Sequence, residues 1–257
     1  MALAGQVEDR QRIVTEEITV ASDGANIEAY LAKPRAAGRH PGVIVIHEAF
    51  GVDDHIKDVV ERFANTGFIA LAPNLYQRVG APKAGDMSTV MQKMFGLEDR
   101  QLVRDLEAAA AYIRALGDSN GKVGCVGFCM GGRTTLLFAA SSDKVDAAIP
   151  CWGGFIMSAT PDAASTASRP TPVIDLVGNL HCPLYAVVGA EDANPSPAHA
   201  AELRARLDKA GKGTQATIEI FEGAGHAFFN DRRPNYREKQ AFELWPKMVA
   251  FFRKHLG

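Results

Sequence analysis

The segment VGFCMGGRTTLLFAA, residues 126–140, joins an apolar run to a helix-like run through a glycine-rich turn. The apolar run covers residues 123–128, and the helix-like run covers residues 133–140. A turn of this kind lifts the side chain at its tip out of the sheet. It needs flanking glycines, because larger side chains would collide with neighbouring backbone. The segment therefore predicts a strand, a sharp turn and a helix, with Cys129 presented at the tip as a nucleophile. An ordinary glycine-rich turn with a buried cysteine is the alternative that this segment alone leaves open.

The same turn predicts how negative charge near Cys129 would be stabilised. Met130 follows the cysteine at the start of the predicted helix. Free backbone N–H groups and the helix dipole favour negative charge at such a position, including that of a thiolate. We therefore expect the N–H of Met130 to form part of an oxyanion hole.

Strand-like and helix-like runs alternate along the chain on both sides of this segment. Short apolar runs without polar alternation are typical of strands buried on both faces of a parallel sheet. They lie at residues 43–46, 68–71, 123–128 and 184–188, with further strand-like runs at 146–150 and 217–221. Segments with apolar residues at helical spacing lie at residues 54–65, 100–116, 198–210 and 239–255. The alternation predicts an α/β fold with a mostly parallel central sheet and helices on both faces.

An N-terminal hairpin and two irregular segments complete the predicted organisation. Residues 13–20 and 26–32 alternate in polarity around a short turn, which predicts an antiparallel hairpin at one edge of the sheet. We expect a single domain over residues 1–257, with residues 1–12 as a short N-terminal extension. Residues 74–97 and 153–180 lack strong periodicity. Long connections of this kind are often lids or walls of a functional site.

Composition and charge limit the range of functions. The chain has 257 residues, of which 47% are hydrophobic and 23% charged, and a formal net charge of -2. It has no dense cluster of lysine and arginine, so we expect no nucleic-acid binding. No apolar run reaches the roughly 18 residues that span a bilayer, and the polar N-terminus lacks a leader pattern, so we expect no membrane association and a cytoplasmic location. Four cysteines are too few for a disulfide framework and indicate free thiols.

Two further residues follow Cys129 in an order that predicts a catalytic triad. The acid of such a triad comes from a loop at a strand end, and the histidine comes from a later loop. Asp192 lies after the strand-like residues 184–188, and His226 lies in the glycine-rich segment GAGHAF after residues 217–221. We expect His226 to be the base and Asp192 to orient it. Glu191 is the alternative acid.

Together, these motifs resemble those of the dienelactone hydrolases, also called carboxymethylenebutenolidases, from about Glu17 to the C-terminus. The matching motifs are GFCMGG at 127–132, an aspartate three residues after Gly189, GHAF at 225–228 and HEAFG at 47–51. The resemblance implies an α/β-hydrolase fold in which a cysteine replaces the usual serine. It also implies hydrolysis of an ester or lactone, with no metal or organic cofactor.

The resemblance assigns roles to two residues of the HEAFG motif. The glutamate that corresponds to Glu48 contacts the resting cysteine in that family, which implies a role in thiol activation. The backbone N–H of the next residue, Ala49, would complete the oxyanion hole. A zinc site at His47 and Glu48 is the other interpretation of this motif. We reject it because position 51 is glycine, so the second histidine of a zinc-binding H-E-x-x-H motif is absent.

Three candidate substrate-binding residues come from the same comparison. Arg78 aligns with a family arginine that holds a substrate carboxylate, although a surface arginine is the interpretation that the residue alone favours. A second arginine is expected four residues after the histidine, but Asn230 stands there. Trp152 follows the strand-like residues 146–150 and is either a wall of the site or a packed core aromatic. The absent arginine leaves the substrate's identity open.

The sequence therefore predicts a hydrolase that opens a dienelactone-type lactone or an ester through Cys129 and a thioester intermediate. A general carboxylesterase or thioesterase of the same fold is one alternative, and a non-catalytic binding module is another. An oxidoreductase based on Cys125 and Cys129 is disfavoured because their spacing is not C-x-x-C. The only partner we expect is a small-molecule substrate, with the chain acting as a monomer or small homo-oligomer.

Overall fold

A single mixed sheet of eight strands organises the protein, whose computed structural model describes residues 3–83 and 85–257. The strand order is β1-β2-β4-β3-β5-β6-β7-β8. The strands are β1 (Ile13–Ser22), β2 (Ala25–Pro34), β3 (His40–Ile46), β4 (Ile69–Pro73), β5 (Ser119–Phe128), β6 (Ala147–Cys151), β7 (Leu184–Gly189) and β8 (Ala216–Phe221). Strand β2 pairs antiparallel with β1 and β4, while β3 to β8 run parallel to one another.

Helices cover both faces of the sheet. They are α1 (Asp54–Asn65), α2 (Met87–Gly96), α3 (Asp99–Ala115), α4 (Met130–Ser141), α5 (Val173–Leu176), α6 (Pro197–Lys209) and α7 (Glu238–Leu256). Apolar residues of α3, α4 and α6 form one buried cluster with the sheet, and those of α1 and α7 form a second cluster on the opposite face. A sheet buried on both faces explains why its central strands are apolar without alternation.

The predicted fold class is confirmed, including the edge hairpin and the parallel centre. Helix α1 has the predicted bounds, and the other predicted helices are displaced by three residues or fewer at each end. Helix α2 is the main difference, because it lies inside residues 74–97, where no helix was predicted. Only two of its residues, Val90 and Met94, are buried. Its short length and the limited burial of its apolar side explain why the sequence pattern was weak.

The N-terminal residues pack onto the rest of the fold more closely than a free extension would. Residues 1 and 2 of the predicted extension lie outside the described residues. Ala4 is buried, and its carbonyl accepts a hydrogen bond from Arg62 Nη1 at 2.9 Å. Among residues 3–83 and 85–257, no helix is both long enough and apolar enough to cross a membrane.

The carboxyl ends of the parallel strands meet at one edge of the sheet, and the candidate residues follow those ends. Glu48 lies just after β3, Cys129 after β5, Asp192 after β7 and His226 after β8. Ligand sites of open α/β sheets form at this edge. The topology therefore brings together side chains that are far apart in the sequence.

Candidate active site

Cys129 lies at the tip of the sharp turn between β5 and α4. Its backbone has φ 56° and ψ -115°, a conformation that residues other than glycine rarely adopt. Its N–H donates to the carbonyl of Cys151 at 3.1 Å, which anchors the turn to β6. The strained backbone directs the thiol away from the sheet, so the predicted turn geometry is present.

This turn requires glycines because backbone carbonyl groups lie too close to leave room for a Cβ atom. A Cβ on Gly131 would lie 2.2 Å from the carbonyl oxygen of Ile46, and one on Gly132 would lie 2.2 Å from that of Cys151. Within the turn itself, a Cβ on Gly127 would lie 2.1 Å from the carbonyl oxygen of Gly131. All three positions therefore exclude any side chain, as the sequence predicted.

Exposure distinguishes Cys129 from the other three cysteines. All four are free thiols, but Cys125, Cys151 and Cys182 are buried, whereas Cys129 is partly exposed. Burial raises the pKa of each of the three buried thiols above its ordinary value. A thiol that reacts must be accessible and able to ionise, so Cys129 is the only cysteine of the four with the exposure of a nucleophile.

His226 and Asp192 form the hydrogen-bonded pair that the order of motifs predicted. His226 Nδ1 and Asp192 Oδ2 are 2.8 Å apart. The other carboxylate oxygen, Oδ1, accepts from the N–H of Asn194 at 2.9 Å, which fixes the orientation of Asp192. Glu191 is exposed and makes no such contact. The structure thus places Asp192, and not Glu191, against the imidazole.

The pKa of His226 is raised to about 10. Burial alone would lower it, but hydrogen bonds to Asp192 and Cys129 and the negative charge on both partners outweigh burial. Since Nδ1 is bound to Asp192, the other ring nitrogen faces the thiol. The imidazole is therefore held beside Cys129 in a state that favours its protonated form.

The loop after β3 is held in place by two residues to which the sequence analysis gave no role. His47 Nε2 accepts from the N–H of Leu75 at 3.2 Å, so Nδ1 carries the proton and donates to the carbonyl of Glu48 at 2.6 Å. Burial lowers the pKa of His47 to about 4, which keeps the ring neutral. The hydroxyl of Tyr76 donates to the carbonyl of Ala49 at 2.9 Å. His47 lies in the HEAFG motif, which was the available signal for it, whereas no quoted motif contains Tyr76.

Two backbone N–H groups are free to receive an oxyanion. The N–H of Met130 belongs to the first turn of α4, where no carbonyl of the helix can accept it. Within the described part of the chain, neither this N–H nor that of Ala49 donates to another protein group. Both residues line the same cavity as Cys129. Both N–H groups are therefore candidates for binding an oxygen of a ligand in this cavity.

Glu48 and Asn230 bind each other inside the protein. Asn230 Nδ2 donates to Glu48 Oε2 at 2.6 Å, and both side chains are buried. Burial raises the pKa of Glu48, while nearby His55 and the Asn230 hydrogen bond act in the opposite direction. Glu48 lines the cavity beside Cys129, but no hydrogen bond joins the two among the contacts of the described residues. Asn230 does not line the cavity, and its Oδ1 accepts from the N–H of Arg232 at 3.1 Å.

Arg78 lies away from the cavity that contains Cys129. Its guanidinium forms a two-point contact with Asp105, at 3.2 Å from Nε and 2.9 Å from Nη2, and also donates to the carbonyl of Ser22. It borders a separate surface depression with Asp105. This position departs from the expectation that Arg78 holds a substrate carboxylate, because its guanidinium is already paired with the buried carboxylate of Asp105.

Trp152 is a core residue in the structure and not a wall of the cavity. Its side chain is almost fully buried and packs against Phe128 and Phe228, with ring centroids 5.6 and 4.7 Å away. It is not among the residues that line the cavity. Of the two interpretations that the sequence allowed, the structure agrees with the packed aromatic.

A cavity of about 480 Å³ opens above Cys129. Helix α2 forms one wall, and the loops after β6 and β8 form much of the rest. Most of its lining is apolar, but it also includes Arg133, Arg169 and Arg233. A cavity of this size admits a small organic molecule with its reactive bond at the thiol. Among residues 3–83 and 85–257, no group of three or more His, Cys, Asp or Glu side chains is placed to hold a metal ion.

The sheet, the turn and the pair of His226 with Asp192 define a class of protein. An exposed nucleophile on a strained strand-to-helix turn, followed along the chain by an acid and a histidine at later strand ends, is the arrangement of the α/β-hydrolase fold. The class is therefore that of the α/β-hydrolases, here with a cysteine at the tip of the strand-to-helix turn.

Comparison with known proteins identifies the family within this class. The family model of the dienelactone hydrolases matches residues 27–256, and the chain belongs to this family of carboxylic ester hydrolases. Two curated relatives share the name "Putative carboxymethylenebutenolidase". The relative from Synechocystis is 35% identical over 95% of this chain and 98% of its own. The relative from Methylorubrum extorquens is 32% identical over 96% of this chain and 83% of its own.

A solved structure shows the same architecture. The crystal structure of a candidate dienelactone hydrolase from Klebsiella pneumoniae matches with a TM-score of 0.87 and 32% identity, over 94% of this chain and 99% of that one. The similarity extends over almost the whole of both chains. The predicted family resemblance is therefore confirmed.

Proposed function

We propose that the protein hydrolyses an ester or lactone with Cys129 as nucleophile. The observation that carries this proposal is the position of the one accessible thiol on a strained turn, beside His226, in a cavity that Met130 and Ala49 also line. Nucleophile, proton carrier and oxyanion donors are the groups that acyl transfer requires. The family supports the proposed reaction type, and the geometry supports the proposed roles.

The first half of the proposed reaction forms a thioester. The thiol proton passes to His226, and the sulfur of Cys129 attacks the substrate carbonyl. The carbonyl electrons move to oxygen, which the N–H groups of Met130 and Ala49 stabilise. When the intermediate collapses, the carbon–oxygen bond of the ester breaks and the protonated imidazole gives its proton to the departing oxygen. In a lactone, the departing oxygen and the acyl group belong to one ring, so the new hydroxyl group stays attached to the acyl-enzyme.

The second half restores the thiol. Neutral His226 removes a proton from water, and the resulting hydroxide attacks the thioester carbonyl. Collapse of this intermediate breaks the carbon–sulfur bond, releases the acid and returns the proton to Cys129. Asp192 holds the imidazole in one tautomer and stabilises its charged form in both halves.

Glu48 and Asn230 complete the proposal as a supporting pair. Family resemblance assigns Glu48 to activation of the thiol, and its place in the cavity lining is compatible with that role. The hydrogen bond from Asn230 restrains one carboxyl oxygen of Glu48. We propose that Asn230 is a positioning residue for Glu48, and not a binder of substrate carboxylate as an arginine there would be.

A second candidate is a general carboxylesterase or thioesterase that acts on neutral substrates. The apolar side chains of α2 in the cavity favour it. The same site chemistry serves both candidates, so they differ in substrate alone. A comparison of a dienelactone with neutral esters of increasing acyl length separates them by relative kcat/KM.

The proposal also covers location and partners. We propose a cytoplasmic enzyme that acts on small molecules, because its free thiols suit a reducing compartment. Neither nucleic acid nor membrane has a part in the proposed reaction, and a monomer or small homo-oligomer is sufficient for it.

The decisive experiment traps the thioester. Mixing the protein with 4-nitrophenyl acetate and quenching in acid should give a mass increase of one acetyl group on the peptide that contains Cys129. The Cys129→Ala variant should lose the adduct and lower turnover by orders of magnitude, while its circular dichroism is unchanged. Cys182→Ala is the matched control, since that thiol is buried, and it should keep the adduct. Full turnover by folded Cys129→Ala would contradict the proposal.

A further inference from the structure

Arg169 is a buried arginine in the lining of the substrate cavity. It lies in the connection between β6 and α5, and its relative exposure is 2%. The cavity that holds Cys129 and His226 reaches this side chain. Buried arginines normally have all their donors bound and a carboxylate nearby, so the environment of Arg169 is informative.

The hydrogen bonds of Arg169 are incomplete. Nη1 donates to the carbonyl of Ala159 at 3.0 Å, and Nη2 donates to that of Met94. Nε is buried and has no acceptor within the described part of the chain. A guanidinium has five N–H donors, so two recorded bonds leave several available. A buried donor without a partner costs free energy that a ligand oxygen would recover.

Arg169 also forms no ion pair in the part of the chain that the structure describes. Arg133, which lines the same cavity, has its charge matched by Asp99 through two contacts at 2.7 and 2.9 Å. Arg169 has no carboxylate within ion-pair distance among residues 3–83 and 85–257. Burial, followed by the charge of Arg133, lowers the pKa of Arg169 to about 10, so it is still cationic at neutral pH. The charge of Asp99 acts in the opposite direction but forms its ion pair with Arg133, so within the described residues the positive charge of Arg169 has no ion-pair partner of its own.

An apolar surface connects this charge to the cavity opening. Met87, Val90, Met91 and Met94 of α2 all line the cavity, and Met87 is 58% exposed. Arg169 adjoins the last turn of the same helix, where it binds the carbonyl of Met94 and lies 5.0 Å from the centre of the Phe95 ring. Methionine side chains adapt to flexible apolar chains. A ligand that fits this wall has an apolar body and a negative group.

We propose that Arg169 binds a carboxylate at the end of an apolar acyl chain, so that the substrate is a monoester of an aliphatic dicarboxylic acid. This inference rests on the proposed ester hydrolysis at Cys129. An arginine that binds only the carbonyl at the end of α2 would be structural, and the test must separate the two roles. Arg233, an exposed arginine stacked 4.2 Å over the Phe50 ring at the cavity, is the competing anion site.

The test compares two substrates of equal acyl length. Mono-4-nitrophenyl adipate carries the terminal carboxylate, and 4-nitrophenyl hexanoate does not. We expect wild-type protein to prefer the adipate ester in kcat/KM. Arg169→Met should lower the ratio of the two kcat/KM values by about 30-fold or more, the usual loss when one partner of a buried charged pair is removed. Arg233→Met is the matched control and should keep the wild-type ratio.

Each outcome decides between the roles. Equal losses on both esters in Arg169→Met would assign the residue to the support of α2 and overturn the inference. A fall of the ratio in Arg233→Met alone would show that Arg233, at the opening of the cavity, binds the carboxylate. That result would also overturn the inference. If wild-type protein hydrolyses neither ester, the proposed function fails. Adipate binding to Cys129→Ala, measured by calorimetry, then tests Arg169 independently, because the additional Arg169→Met change should abolish it.

Discussion

At the scale of single residues, His226 shows how two contacts set a proton's position. Its exposed fraction is 34%, yet Asp192 and Cys129 outweigh the desolvation that would lower its pKa. In the proposed first step, the protonated ring gives its proton to the departing oxygen. The pH dependence of turnover should therefore report the pair of Cys129 and His226 as one unit.

The kcat/KM of ester hydrolysis should fall as pH rises through about 10, where His226 loses its proton. Asp192→Asn removes a contact that raises this pKa, so the falling limb should move to lower pH and the maximum rate should drop by orders of magnitude. The measurement is a pH–rate profile of both proteins with one chromogenic ester. A limb that stays in place in Asp192→Asn would show that another group controls it.

The same pKa has a consequence for stability. The folded pKa of His226 lies above its ordinary value of 6.5. The stabilising contribution of its contacts is therefore complete below about pH 6.5 and is lost as pH rises through about 10. At neutral pH, Asp192 thus stabilises the fold through His226, in addition to the role proposed for it in the chemistry.

At the scale of elements, the turn between β5 and α4 depends on its contact with β3 and β6. Gly131→Ala would place a methyl group 2.2 Å from the carbonyl of Ile46, in backbone that cannot move freely. We expect a loss of about 1–3 kcal/mol in the free energy of unfolding, with activity reduced because the thiol shifts. Urea denaturation measures the first effect. Gly117→Ala is the control, since nothing lies within 4 Å of its added Cβ, and a similar loss there would refute this explanation.

The loop that carries His226 is tied to α1 by a buried ionic group. Asp231 contacts His55 Nδ1 at 3.0 Å and Arg62 Nη2 at 3.2 Å. Burial alone would raise the pKa of Asp231, but these two partners lower it to about 2. Because the folded pKa is below 3.8, the stabilisation is present above about pH 4 and is lost as pH falls towards 2.

Asp231→Asn should therefore weaken the dependence of the free energy of unfolding on pH in the acid range. We expect the free energy of unfolding of wild-type protein to fall more steeply than that of the variant between pH 4 and pH 2. Chemical denaturation across this range is the measurement. Asp162→Asn, at an exposed aspartate, should follow wild type, and identical slopes in all three proteins would argue against the assignment.

At the scale of the whole molecule, the sequence predicted the features that depend on local residue patterns and on the order of the motifs along the chain. The apolar runs predicted the buried strands. The order of Cys129, Asp192 and His226 predicted that these residues would meet, and they line one cavity because parallel strands end at the same edge of the sheet. Arg78 was placed differently because its partner, Asp105, lies on a helix elsewhere in the chain. No local pattern shows which carboxylate an arginine will meet. The role proposed for Arg169 was not predicted for the same reason, because it depends on the ion pair that this residue does not form within residues 3–83 and 85–257.

The dispersal of the site across the sheet has a consequence for folding. We propose that the chain folds as one domain, because one sheet contributes every group of the site. Strands β7 and β8, which deliver Asp192 and His226, lie at the sheet edge opposite the hairpin and come late in the chain. Parallel pairing joins segments distant in sequence and is slow to form. Turnover should thus be the last native property to return during refolding, which makes hydrolysis a direct readout of completed assembly.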